Sequence, residues 1–169
     1  MVEAAPTVIP GSAPPRRRYI AIALLLGRIV LGAIFLYAAY AKLHYAGAWH
    51  LSDYDFLFAF GINSYQMLSF DNALRLARVL PWTEVALGAM LISGIALRWV
   101  GSITTALLVI FMIALARAAM LRLEINCGCF GNQSTTPARE LLVDSVLLLL
   151  AISVTVGAFL SARARRLPA

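Results

Sequence analysis

Charge is what this sequence has least of. Only 13% of its 169 residues are Asp, Glu, Lys or Arg, against 62% that are hydrophobic, and the mean hydropathy is +0.84. A soluble domain of this length cannot bury so much apolar surface, because a small globule keeps a large surface for its volume. The scarcity of charge therefore excludes an ordinary water-soluble fold and makes the lipid bilayer the main partner of the chain. Cysteine is almost as scarce. Cys127 and Cys129 are the only two, which excludes a relay of electrons through a second cysteine pair. Histidine is confined to His44 and His50, which read as polar residues at the headgroup interface. No internal repeat, soluble domain or nucleotide-binding loop is present. Acidic residues are outnumbered, 8 to 14 basic, for a net charge of +6. The basic residues sit at the ends of apolar runs, which reads as topology signal and headgroup contact rather than nucleic-acid binding.

What is there is a series of apolar runs. Residues 1–18 are polar and proline-rich and end in Arg16, Arg17 and Arg18; they read as a cytoplasmic tail with little to bury. Spans are expected over about 19–43, 81–97, 99–121 and 140–160, with a basic cytoplasmic tail over 163–169. The first run is too long for a secretory signal and contains Arg28, so it reads as an uncleaved helix. Between the first two spans the chain turns aromatic, with apolar residues at helical spacing over 72–80, which predicts short interfacial helices on the outer surface. Pro81 suits the first turn of the second span, where its missing N–H costs nothing. The fold class is thus an all-α integral membrane protein, a four-helix bundle with short outer helices.

Arg16, Arg17, Arg18, Arg98, Arg163, Arg165 and Arg166 fall on one side of this arrangement. The outer Lys42, Arg75, Arg78, Arg122 and Arg139 are offset by Asp53, Asp55, Asp71, Glu124 and Glu140. The bias puts both termini in the cytoplasm and the cysteines outside a bacterial inner membrane, in an oxidising compartment.

Arg28, Glu84, Arg117 and Asp144 fall inside the expected spans. At about 1.5 Å per residue, Glu84, Asp144 and Arg117 lie about 5, 6 and 8 Å below the outer ends of their helices, with Lys42 at the outer end of the first. Each could snorkel singly to the headgroups. Opposite signs at one depth favour instead a paired polar cluster beneath the cysteines, since a lone buried charge is costly. Arg28 has no acid at its depth, so snorkelling or helix-end carbonyls are left to it.

Cys127-Gly128-Cys129-Phe130-Gly131 occupies the gap between the third and fourth spans. Thiols one residue apart are too close for a relaxed disulfide. A bond formed between them would be strained and suited to exchange, and Arg117, Arg122 or Lys42 nearby would raise the thiolate fraction. Redox exchange, a purely structural turn, and a metal site of Cys127, Cys129, His44 and His50 remain as alternatives. With no second cysteine pair, redox electrons would pass to a partner's thiols or to a quinone in the bilayer.

Gly27-Arg28-Ile29-Val30-Leu31-Gly32 with Lys42, Ser64-Tyr65-Gln66-Met67-Leu68, Leu80-Pro81-Trp82-Thr83-Glu84 with Gly88, and the Cys127–Gly131 motif make the chain resemble the DoxX-like membrane proteins. Within them it resembles the branch of the methylamine utilisation protein MauE, over roughly residues 20–160. The resemblance implies a four-helix membrane protein that serves maturation of the disulfide-rich small subunit of methylamine dehydrogenase, alongside a thioredoxin-like partner. It covers Cys127, Cys129 and Glu84 as motif positions. The leading expectation is a membrane thiol–disulfide component in which Cys127 and Cys129 exchange with a thioredoxin-like or client protein above a floor of Glu84, Arg117, Asp144 and Lys42. The alternative is a non-catalytic anchor or scaffold in a respiratory or oxidoreductase assembly, alone or as a homo-oligomer.

Overall fold

The computed structural model describes residues 15–44, 54–123 and 137–164. The described chain forms five helices, α1 Pro15–Leu43, α2 Tyr54–Asn63, α3 Phe70–Ser93, α4 Leu97–Met120 and α5 Pro137–Ala164, and no strand. Four of them, over Arg18–Leu43, Phe70–Ser93, Leu97–Met120 and Arg139–Arg163, are long and apolar enough to cross a bilayer. The remaining α2 is one short helix between the first two spans, and the four-helix membrane bundle follows.

Helix ends differ from the expected ones for local reasons. Prolines open α1 and α5, at positions where a missing amide is harmless. Arg16–Arg18 therefore lie in the first turn of α1 rather than in a preceding tail. The larger difference is α3. Residues 72–80, expected as a surface helix, are continuous with the second span, and Pro81 sits well inside a helix rather than at its first turn. Proline removes one rung, leaving the Ala77 carbonyl without its i+4 amide. Within a packed membrane bundle such a break is tolerated. At the other end α3 stops at Ser93, because Gly94 turns left-handed (φ 79°) and its N–H caps the Met90 carbonyl. Arg98 consequently opens α4 instead of closing the second span.

The packing is inside-out relative to a soluble protein. Large apolar side chains such as Ile22, Leu26, Ile110, Val146 and Leu160 are exposed around the bundle, as lipid-facing residues should be. The core between the helices is narrow: Leu31, Phe35, Leu87, Leu91, Val100, Leu108, Leu147 and Ala151. α1 packs chiefly on α3, and α4 on α5, while α2 lies against α3.

Glycine decides how close the first pair comes. A Cβ on Gly32 would stand 2.8 Å from the Gly88 carbonyl oxygen, and a Cβ on Gly88 2.8 Å from that of Gly32. The two backbones touch there, the arrangement that small residues permit where lipid offers no hydrophobic drive for association. Gly101 plays the same part between α4 and α5, with Thr155 Oγ1 2.6 Å from the place of its Cβ.

A buried ion pair and an orphaned carboxylate between the helices

The α1–α3 contact brings Lys42 to Glu84. Glu84 is one turn along α3 from Gly88, and the Lys42 side chain leans back toward the N-terminus of α1, as helical side chains do. Its Nζ donates to Glu84 Oε1 at 2.8 Å and to Oε2 at 2.9 Å. Lys42 is 1% exposed and Glu84 2%, so both charges are fully removed from solvent. Phe58 of α2 covers them, with Nζ 6.0 Å from the ring centroid. Neither ion would be tolerated without the other, because an unpaired buried charge carries its whole desolvation cost.

Asp144 of α5 joins them from the other side. It is 4% exposed, and its Oδ2 has no hydrogen-bond partner. Together Lys42, Glu84 and Asp144 line a cavity of about 30 Å³, otherwise walled by residues such as Phe35, Leu108, Phe111 and Leu147. That is room for about one or two waters. Lys42 has a third N–H beyond the two given to Glu84, and a group that both accepts and donates could link it to Asp144. A further buried acid, Glu140, lies one turn before Asp144. Two acids, Glu84 and Asp144, thus share the cavity with one cation.

A second cavity, of about 270 Å³, adjoins Lys42 between α2, α3 and α4. Phe58, Tyr65, Leu76, Leu80 and Ile110 are among its walls, and among the described residues Lys42 is the one charged group lining it.

The expected cluster is assembled in part. Lys42, Glu84 and Asp144 meet, although Glu84 lies about 21 Å along α3 rather than about 5 Å from its end, because the helix begins at Phe70. Arg117 does not join them. Its Nη1 donates to the Tyr65 and Gln66 carbonyls at 3.0 and 3.3 Å, where Gln66 takes a left-handed φ of 53°. It therefore holds the α2–α3 turn. Arg28, as expected for a cation without an acid at its depth, reaches a helix-end carbonyl, that of Ile92, at 3.5 Å.

A further ion pair escaped the sequence reading. Arg78 donates to Asp55 Oδ2 through Nε at 3.1 Å and Nη2 at 2.9 Å, tying α2 to α3. The signal was available in the opposite signs of two outer residues, but their mutual facing depends on how α2 folds back.

Cys127, Cys129 and His50 lie outside the described residues. His44 directly follows α1, its Nδ1 3.0 Å from the Tyr40 carbonyl and its ring 4.1 Å from that of Tyr40. Among the described residues no group of three His, Cys, Asp or Glu could hold a metal. What is described of the cysteine segment is its anchorage. Leu123, just before it, and Leu141, just after it, pack into one cluster with Leu115, Ala118 and Tyr65.

Four apolar spans enclosing a buried ion pair and an orphaned carboxylate define a multi-pass membrane protein with a polar intramembrane centre. The family model described as methylamine utilisation protein MauE matches residues 20–158, most of the chain and most or all of each span, and the chain belongs to that family. It is accordingly a membrane protein associated with methylamine utilisation, and a wider DoxX-like affiliation is compatible with its architecture. No curated protein and no solved structure matches it.

Proposed function

We propose that the protein is a membrane thiol–disulfide component in which Cys127 and Cys129 exchange with a thioredoxin-like protein or a disulfide-containing client. In this reading both termini are cytoplasmic and the cysteine segment lies on the outer face of a bacterial inner membrane. The observation that carries it is the anchorage of that segment. Both its ends are pinned in the Leu115–Leu141 cluster, and Glu140 and Asp144 follow within the first turns of α5. In this reading the two thiols act at the end of the bundle where α4 stops and α5 begins.

The exchange itself conserves bonds and electrons. A Cys127–Cys129 disulfide is attacked by a client thiolate, giving a mixed disulfide and one free cysteine thiolate. A second client thiolate then closes the client's own disulfide and releases the other cysteine. Two electrons have passed to the pair, and the protons go to solvent. A thioredoxin-like disulfide, or a quinone that takes two electrons and two protons, restores the oxidised form. The cavity beside Lys42 is the place proposed for a quinone ring: its walls are apolar and, among the described residues, its one charged lining group is a hydrogen-bond donor.

Thiol trapping in intact cells tests this reading. After acid quenching, Cys127 and Cys129 are labelled with a bulky maleimide before and after reduction. The expected result is a pair oxidised at rest that shifts with reductant, and mixed disulfides captured in the single variants Cys127→Ser and Cys129→Ser. Thiols that stay free under all conditions, with client disulfides unchanged in the double variant, overturn it and favour a scaffold role.

A further inference from the structure

At the end of the bundle away from Lys42, helices α1, α4 and α5 leave a groove of about 680 Å³ between them. Arg28 and Arg98 line it, with Trp99 and Ser161, and among the described residues no acid does. Its charge is therefore of one sign, unlike that of the Lys42 centre, where acids outnumber the cation.

Arg28 is the more telling of the two. It sits in an apolar span, yet its only described bond is the long one from Nη2 to the Ile92 carbonyl, 3.5 Å. Its Nε is buried and without a partner. The guanidinium fits because residue 94 is glycine: Nη1 lies 2.7 Å from where a Cβ there would stand. The fork is thus seated but largely unsatisfied, with five N–H donors and one weak acceptor. Leu97 and Arg98 begin α4 beside it, and the N-cap residue Ala96 supplies no side-chain bond, so the helix start adds to the positive field.

An unsatisfied guanidinium in a cationic groove matches a phosphate, which accepts two parallel N–H bonds from it. The remaining walls, Leu24, Leu25 and Val154, are apolar and suit an acyl chain. Trp99 is 74% exposed and has the amphipathic ring that settles at headgroup depth. We propose that this groove is a binding site for an anionic phospholipid, with the phosphate held between Arg28 and Arg98 and one acyl chain along α1 and α5. Basic clefts between spanning helices are a recurrent way of holding such headgroups. This assignment is independent of any role of the cysteines.

The test is native mass spectrometry of the full-length protein purified in neutral detergent, titrated with phosphatidylglycerol, phosphatidylcholine or inorganic phosphate. One phosphatidylglycerol should be retained in preference to phosphatidylcholine, and Arg98→Gln should weaken it about tenfold, the loss of one charged contact. Arg28→Lys, which keeps the charge but loses the fork, should weaken it too, and Arg28→Gln more. Arg98→Gln alone decides the matter if the Arg28 variants do not fold. Equal retention of both lipids, or phosphatidylglycerol binding unchanged in Arg98→Gln, overturns the proposal. So does displacement of the lipid by millimolar inorganic phosphate, which would make the site one for a free anion.

Discussion

The two ends of this bundle solve the same problem in opposite ways. At one end, Lys42 and Glu84 are each almost fully buried and satisfy one another. At the far end Arg28 has no acid among the described residues to meet, keeps partial exposure, and leans on a distant carbonyl beside an open groove. A charge inside a membrane is tolerated either by a partner on a neighbouring helix or by access to the headgroups. The first solution makes two helices interdependent. The second leaves the cation available to something from outside.

If that contrast is right, removing the two cations should have very different costs. Lys42→Met strands a buried carboxylate and should destabilise the protein by about 3–5 kcal/mol, with much of the loss recovered in Lys42→Met/Glu84→Gln. Unfolding in mixed micelles measures both, and a mild single variant would show that Glu84 does not need its partner.

The geometry that creates the pair can be broken without touching either charge. Gly88→Leu puts a side chain where the Gly32 carbonyl lies 2.8 Å from the first added carbon. Forcing α1 from α3 should cost about 1–3 kcal/mol and weaken the Lys42–Glu84 coupling. A double-mutant cycle in the Gly88→Leu background reads that coupling directly, and an unchanged value would separate the ion pair from the glycine contact.

The smallest effect is expected from Arg28→Met in detergent free of anionic lipid. The side chain makes one long bond there, and its loss should change stability by less than about 1 kcal/mol. A cost as large as that of Lys42→Met would erase the difference between the two ends.

Much of the architecture was legible in the sequence because hydropathy is a local quantity. Runs such as 20–27 and 146–152 state their solvent without reference to any other residue. The helix limits were less legible. Residues 70–80 carry Asp71, Arg75 and Arg78, which look like the polar face of a surface helix, and Pro81 looks like a start. In the fold those residues form the first turns of α3, where Asp55 on α2 receives Arg78. The polar face was real, but its partner was another helix as well as water.

The candidate centre divides in the same way. That Lys42, Glu84, Asp144 and Arg117 are costly charges in or beside apolar runs is a property of the sequence alone, and so is the pairing of two cysteines across one glycine. Which of the charges meet was decided only by tertiary structure. Lys42 and Glu84 are 42 residues apart, and their contact depends on the rotational phase and axial register of α1 against α3, which the Gly32–Gly88 approach sets. Arg117 has the right sign and the right end of the bundle, yet its helix turns it to the Tyr65 and Gln66 carbonyls. Composition determines what a segment can dissolve in, whereas the partner of a buried charge depends on the faces that packing brings together.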